Sequence, residues 1–269
     1  MVPHRPDPSM GLFETLLVWA GEPVALAEHL TRLDAGLAAV FGSGLPGDAA
    51  ALVHDVARGL DLGRLRLTAV ATPPPATEGD PSLRASTAER WDRAVGQGAA
   101  AAQIGAEGTA IDPEVPMPAW EDGARLSSFE LLDGLGTYKW RDRSVLPDEA
   151  KGLPLILDRG AEVLEASRAS VFVVHDGALF TPPLDGRILP GTTRATVLAI
   201  AAEAGLEATE RRIGREELLG ADEVFLSGSV RGVEPARSLD GEQLGRGEVT
   251  AVLADRLAAR WGLPAPAPR

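Results

Sequence analysis

Of the 26 basic residues in this chain, only Lys139 and Lys151 are lysines; the other 24 are arginines. Lys139 stands in "LGTYKWRDR", beside Tyr138, the sole tyrosine. Abundant Ala, Gly, Pro and Arg are also the residue usage of a high-GC genome, so rarity alone assigns Lys139 no role. It does mark the position as one where an amine has been kept in a chain that otherwise uses guanidinium.

Three other stretches could carry chemistry. In "EVLEASRASVF", Glu165 lies between apolar strand segments. Facing inward, it needs a partner, because an unpaired buried carboxylate is costly; facing outward, it is an ordinary strand-end glutamate. In "LPGTTRATVLAI", Gly191 permits close backbone approach, and Thr192 and Thr193 can cap the helix that follows. A helix start of this kind suits an anion such as phosphate, and it is equally the start of an ordinary capped helix. In "VFLSGSVRG", an apolar strand ends in Ser227, Gly228 and Ser229, where backbone and hydroxyl donors can converge on an anion.

Other patterns carry less. "GSGLPG", 42–47, matches G-x-G-x-x-G, but a helix precedes it and Pro46 interrupts it, so it reads as a helix-terminating loop. His4, His29, His54 and His175 have no metal-ligand spacing. "GSVRG" is no nucleophile elbow, because Ser229 follows Gly228 directly.

The elements that must position these residues are legible from periodicity. "LFETLLVWA" predicts a strand over 12–20. Leu26, Leu30, Leu33, Leu37 and Val40 then recur at steps of 4, 3, 4 and 3, which predicts an amphipathic helix. A second helix is expected near 47–59, then a strand in "RLRLTAVA". A loop follows in "TPPPATEGDPS" and a weak strand near 90–95, while "GQGAAAAQIGAEG" shows no pattern. "DPEVPMPAWEDG" reads as a linker. Beyond it, "LPLIL", "EVLEA", "SVFVVH" and "ALFTPP" predict short strands in a meandering sheet. "TTRATVLAIAAEAG" predicts a helix, "LEATERRI" a strand and "GREELLG" a short helix. "DEVFLSGS" and "GVEPARSLDG" then predict strands, and "EVTAVLADRLAARWG" a final helix.

Length and composition set the bounds. With 269 residues, 45% of them hydrophobic, the chain can build one large domain or two modest ones. A net charge of −13 argues against nucleic acid or an anionic membrane as the main partner. No apolar run approaches the roughly 18 residues of a membrane span, and "MVPHRPDPSM" lacks the apolar core of a signal peptide. With no cysteine, disulfides, thiolate metal sites and cysteine nucleophiles are excluded. A soluble cytoplasmic protein without a metal is the expectation.

In order along the chain, "GLFETLLVWAGEPVALAEHLTRL", "YKWRDR", "LEASRASVFVVHDGALFTPPLDGRILPGTTR" and "ADEVFLSGSVRGVEPARSLDG" resemble the class IV aminotransferase family. These are the fold-type IV pyridoxal-phosphate enzymes, and the resemblance is nearest to aminodeoxychorismate lyase. It spans most of the chain apart from roughly residues 45–130, and the third block is long and specific. The resemblance implies an α/β (α+β) fold with a small N-terminal domain over 1–118 and a linker over 119–130. A larger barrel-like domain would cover 131–269, with the cofactor between the domains of a homodimer.

By position, the resemblance makes Lys139 the Schiff-base lysine. A neutral amine condenses with an aldehyde, whereas a guanidinium does not deprotonate in this range. Glu165 would pair with the pyridine nitrogen and keep it protonated. Arg32 would grip the phosphate, with Thr192, Thr193, Gly228 and Ser229 completing its cup. The chain departs from the family's pattern in lacking the extra first strand, in Ser170 where Asn is common, and in Gly-Thr-Thr for Gly-Ile-Thr. It also has "WRDR" where "TLNYL.N" is frequent.

Arg143, four residues after Lys139, suits a dicarboxylate, with Tyr138 as a second candidate for substrate contact. The expectation is a 4-amino-4-deoxychorismate lyase in which Lys139 abstracts the proton and pyruvate and 4-aminobenzoate leave. The runner-up is an aminotransferase acting on D- or branched-chain amino acids, and a third reading is a non-catalytic relative on the same scaffold.

Overall fold

The computed structural model describes residues 6–71 and 102–264 and resolves into two compact units. The expected weak strand near 90–95 and the loop over 72–82 lie outside the described residues.

The small unit runs to Ile111 and also includes Tyr138–Val145. Its antiparallel sheet has the order β2-β1-β3-β4, with β1 Leu12–Trp19, β2 Glu22–Pro23, β3 Leu62–Val70 and β4 Gln103–Ala110. Register places Leu12 opposite Ala69, Glu14 opposite Leu67 and Leu16 opposite Leu65. That face packs beneath α1, Leu26–Phe41, through Leu33, Leu37 and Phe41, and beneath α2, Ala49–Ala57, through Val53 and Ala57. Gly42, at φ +64, ends α1 by donating its N–H to the Ala38 carbonyl, so the loop after α1 is a helix stop as expected.

A short extended piece lines the start of β1. The Phe13 N–H donates to the Lys139 carbonyl at 3.0 Å, and the Arg141 N–H donates to the Gly11 carbonyl at 3.0 Å. Gly11 is required there: its φ is +77, and a Cβ would sit 2.2 Å from the Ala69 carbonyl oxygen. β4 was invisible to periodicity because Ile104 and Ala106 are its only half-buried positions, the rest being exposed. Backbone pairing with β3 holds it.

The large unit comprises Asp112–Thr137 and Leu146 onward. Its strands are β5 Ala124–Glu130, β6 Leu153–Asp158, β7 Glu162–Ala166, β8 Ser170–His175, β9 Ala178–Thr181, β10 Ala208–Glu210, β11 Glu223–Gly228, β12 Gly232–Leu239 and β13 Glu242–Gln243. They form one sheet in the order β10-β9-β8-β11-β12-β5-β6-β7, with β13 beside β12. The tight turn 166–169 joins β7 directly to β8, so the sheet curls back on itself. Leu126, Leu155, Val163, Val171, Val173, Val224 and Leu226 fill the inside of the curl.

On the outer face, Phe172, Val174 and Phe225 pack under α3, Thr192–Glu203, and α5, Glu248–Arg260. β8 and β11 are therefore covered on both faces, which is why they read as unbroken apolar runs. α4, Arg215–Leu219, is the short helix expected from "GREELLG". β5 lies within the stretch expected to be a linker, where only Ala124 and Leu126 give it an apolar face. Among the described residues, no helix is long and apolar enough to cross a membrane.

Buried Glu223 on β11 caps α5 from a distance. It accepts the Val249 N–H at 3.0 Å, the Thr250 N–H at 2.7 Å and the Thr250 hydroxyl at 2.6 Å. Gly247 makes room for it, since a Cβ there would stand 2.2 Å from the carboxylate. Glu223→Ala strands these donors and is expected to lower stability by about 2 kcal/mol in urea unfolding. A loss under about 0.5 kcal/mol contradicts the capping role.

Candidate active site

Each unit carries its own group of functional side chains. In the small unit, Lys139 is held by the pairing of its backbone with β1, and its amine stands 5.3 Å from the centroid of the Phe13 ring. Arg66 and Arg143 approach the same ring, at 4.9 and 5.6 Å. Three cations therefore gather about one aromatic side chain, whose face attracts each of them while they repel one another. Such a cluster suits an anion. Arg66 lies on β3, diagonal to Phe13, because its cross-strand partner is Thr15. Tyr138 is half-buried and packs with the small unit's core, edge-on to Trp140 at 6.1 Å.

Glu14, 1% exposed, sits on the apolar face of β1. Two side chains from successive turns of α1 converge on it. Arg32 donates Nε to Oε1 at 2.8 Å and Nη2 to Oε2 at 2.6 Å, and His29 Nδ1 lies 2.8 Å from Oε2. Burial alone would raise the Glu14 carboxyl. The hydrogen bonds from His29 and Arg32, with the charges of Lys139 and Arg32, outweigh it and hold the group at about 2. His29 is pushed below its ordinary value by burial, against the pull of Glu14. It is therefore neutral near pH 7 and donates Nδ1–H to the carboxylate. Arg32, expected to bind phosphate, is thus oriented by a carboxylate that the sequence reading had not singled out.

In the large unit, Glu165 is buried on β7, and its Oε2 accepts the Leu189 N–H at 3.3 Å. The loop carrying Leu189 is fixed by Arg187. That guanidinium reaches Asp158 at 2.8 Å, Glu162 at 2.6 Å and Asp185 at 2.5 Å, while the Arg187 carbonyl accepts the Gly136 N–H at 3.2 Å. Hydrogen bonds to Glu162 and Asp185 raise the Arg187 guanidinium further, and Arg187 holds Asp158 down against the effect of its burial.

The same loop delivers Gly191, the N-cap of α3. Glycine at the N-cap has no side chain to cap the helix, and Thr192 and Thr193 fall in its first turn instead of at the cap position, which corrects the expectation. Ordered intrahelical bonding begins at the Ala195 N–H, which donates to the Gly191 carbonyl at 3.1 Å. Arg194 ties this turn down by donating to the Pro182 carbonyl at 2.9 Å and to Glu210 at 2.8 Å. Ser170 and Ser227 are cross-strand partners on the face beneath α3. A Cβ on Gly191 would press to 2.8 Å from the Ser170 hydroxyl. Gly228 and Ser229 continue from Ser227 into the following turn, and Gly228 lies against the 168–169 corner. Thus Gly191, Thr193, Ser170, Ser227 and Gly228 share one corner of the large unit. The Ser227 hydroxyl there is buried and has no hydrogen-bond partner among the described residues. A helix start with such a donor suits an anion.

Residues 145–239 match the family described as Amino-transferase class IV. The structure resembles 4-amino-4-deoxychorismate lyase from Pseudomonas aeruginosa, with a TM-score of 0.70 and 29% identity, covering 93% of this chain and 91% of that one. Over residues 145–239 the chain is similar to the class IV aminotransferase family. Branched-chain-amino-acid aminotransferase from Escherichia coli (strain K12) is 40% identical over 109 residues. That match covers 40% of this chain and 35% of the relative, so only about a third of the relative's length is spanned. The fold is shared with a hypothetical aminotransferase from Mycobacterium tuberculosis in its PLP-bound form, at a TM-score of 0.74 and 22% identity over 97% of this chain and 93% of that one.

Glu14, His29, Arg66 and Arg187 were the residues missed. An acid on the apolar face of a strand was the available signal for Glu14. Nothing local marks the others, because their partners lie far away in sequence.

The Glu14 carboxyl binds fewer protons when folded than when unfolded, so its stabilisation is complete above pH ~4.5 and disappears as pH falls through about 2. The shift corresponds to about 3 kcal/mol. Glu14→Gln is expected to flatten the acid limb of stability against pH between these limits in denaturant titrations. An unaltered acid limb contradicts the assignment.

Proposed function

We propose that the chain is a pyridoxal-phosphate-dependent lyase that splits 4-amino-4-deoxychorismate into pyruvate and 4-aminobenzoate. The observation that carries this choice is the pair of guanidiniums, Arg66 and Arg143, flanking the Lys139 amine about Phe13. The substrate has two carboxylates, and a site with two arginines beside its reacting amine recognises a dianion better than an aliphatic amino acid.

The residues fit the cofactor. The buried Ser227 hydroxyl, with no partner among the described residues, and the helix start at Gly191–Thr193 suit its phosphate, with Gly228 and Ser229 beside them. Glu165, buried and held by the Leu189 N–H, suits a protonated ring nitrogen. When bound, pyridoxal phosphate supplies an electron sink for the carbon that loses its proton.

The chain's own groups do the rest. Lys139 would hold the cofactor, and its amine would take the proton from the amine-bearing carbon of the substrate. Glu165 keeps the ring nitrogen protonated, which maintains the sink. Arg66 and Arg143 hold the substrate carboxylates while the enolpyruvyl group leaves. The atoms balance, because the substrate's own elimination yields the aromatic amine and pyruvate, and aromatisation drives the step.

A second reading, an aminotransferase on D- or branched-chain amino acids, is favoured by the 40% identity to a branched-chain aminotransferase over 109 residues. Both readings use Lys139 and Glu165, so products decide. Incubation with aminodeoxychorismate is expected to give 4-aminobenzoate and pyruvate in equal amounts. Amino-group exchange between amino and keto acids, with no aromatic product, selects the second reading. Arg66→Gln is expected to raise KM for the dianionic substrate about tenfold or more, the worth of one charge-assisted contact. An unchanged KM removes Arg66 from substrate binding.

A further inference from the structure

We propose that Arg168 and Arg231, presented by the buried Glu234, form a binding site for a small carboxylate monoanion within the large unit. The site rests on the reading above only for the identity of its ligand, which there is the departing pyruvate.

The two arginines stand on hairpin turns that touch. Arg168 lies in the turn between β7 and β8, which is closed by the Ala166–Ala169 bridge and anchored by the Ser167 N–H donating to the Pro154 carbonyl at 2.8 Å. Arg231 ends the turn between β11 and β12, which is closed by the pairing of Gly228 with Gly232. A Cβ on Gly228 would stand 3.5 Å from the Arg168 carbonyl oxygen. Arg231 is pinned through both backbone and side chain. Its carbonyl accepts the Met117 N–H at 3.0 Å, and its Nη2 donates to the Asp122 carbonyl at 3.0 Å.

Glu234 brings the two side chains together. It is 2% exposed and faces the inside of the curl, opposite Leu226 and on the same face as Ala236. An apolar side chain often fits such a place at less cost than an ion pair, so the reason for an acid there lies with its partners. Its Oε1 accepts Arg168 Nη2 at 3.3 Å. The same oxygen lies 2.7 Å from Arg231 Nε, a close ion pair too poorly aligned for a hydrogen bond. Two cations thus share one anion and leave one positive charge in excess. Nε and Nη1 of Arg168 and Nη1 of Arg231 have no partner among the described residues, and the Arg168 side chain is 42% exposed. Charged donors held in fixed directions, with a single charge left to neutralise, suit a carboxylate monoanion.

The test is a titration of the cofactor-free full chain with 13C-labelled pyruvate, read by NMR line broadening. Arg168→Gln and Arg231→Gln are each expected to weaken binding roughly tenfold, the worth of one charge-assisted contact. No binding to the wild-type chain, or an affinity unchanged in either variant, overturns the site. Arg168 is a partly exposed turn residue, so its variant is expected to fold and decides the matter by itself where the others do not.

Glu234→Leu separates positioning from charge. It raises the local excess from one positive charge to two, so attraction by charge alone predicts tighter pyruvate binding. The expected result is a several-fold loss, because neither guanidinium is then held in place. Equal or tighter binding overturns the positioning role of Glu234. A chain that binds pyruvate in this way yet forms no 4-aminobenzoate from aminodeoxychorismate defeats the lyase reading alone and leaves the site standing.

Discussion

A carboxylate that stays ionised inside an apolar sheet face must be surrounded by donors, and this requirement organises the small unit. Glu14 meets it with Arg32 and His29 from one face of α1 and the nearby charge of Lys139. Each partner is constrained in return. α1 must present that face to β1, Arg32 must lie in one plane, and the 139–141 segment must pair with β1 at its start. Replacing one partner leaves a buried charge, which costs far more than the pair gains over a well-packed apolar substitute. The network is accordingly better understood as orientation than as stability.

Arg187 imposes the equivalent constraint on the large unit. Three carboxylates from β6, β7 and its own loop converge on one guanidinium, so the loop between β9 and α3 has a single way to lie. That placement sets both the Leu189 N–H that meets Glu165 and the Gly191 turn that opens α3 above Ser170. The Ser227 hydroxyl, buried with no hydrogen-bond partner among the described residues, then stands at the place where the helix start gathers its donors. Each unit thus carries its own concentration of positive potential. One is built from side chains in the small unit and the other from backbone amides and hydroxyls in the large unit.

Much of this was legible from residues alone. The 4-3-4-3 spacing of Leu26, Leu30, Leu33, Leu37 and Val40 marks α1, and unbroken apolar runs mark β8 and β11. The rarity of lysine drew attention to position 139. β4 and β5 escaped because backbone pairing, not an apolar stripe, defines them: β4 is mostly exposed and β5 buries only Ala124 and Leu126 on its inner face. Glu14 escaped because its partners lie 15 and 18 residues away on another element. The capping expectation at Thr192 and Thr193 failed for a related reason. Gly191 takes the N-cap position because a side chain there would collide with Ser170, whose proximity no linear pattern reveals.

An amine is kept at position 139, on this account, because it must form and break a covalent bond and carry a proton, which a guanidinium cannot do near neutral pH. The most direct measurement is borohydride reduction of the protein loaded with pyridoxal phosphate, followed by peptide mass mapping. The account predicts a single pyridoxyl group on Lys139. A label on Lys151 or the N-terminal amine instead, or no stable label at all, contradicts it.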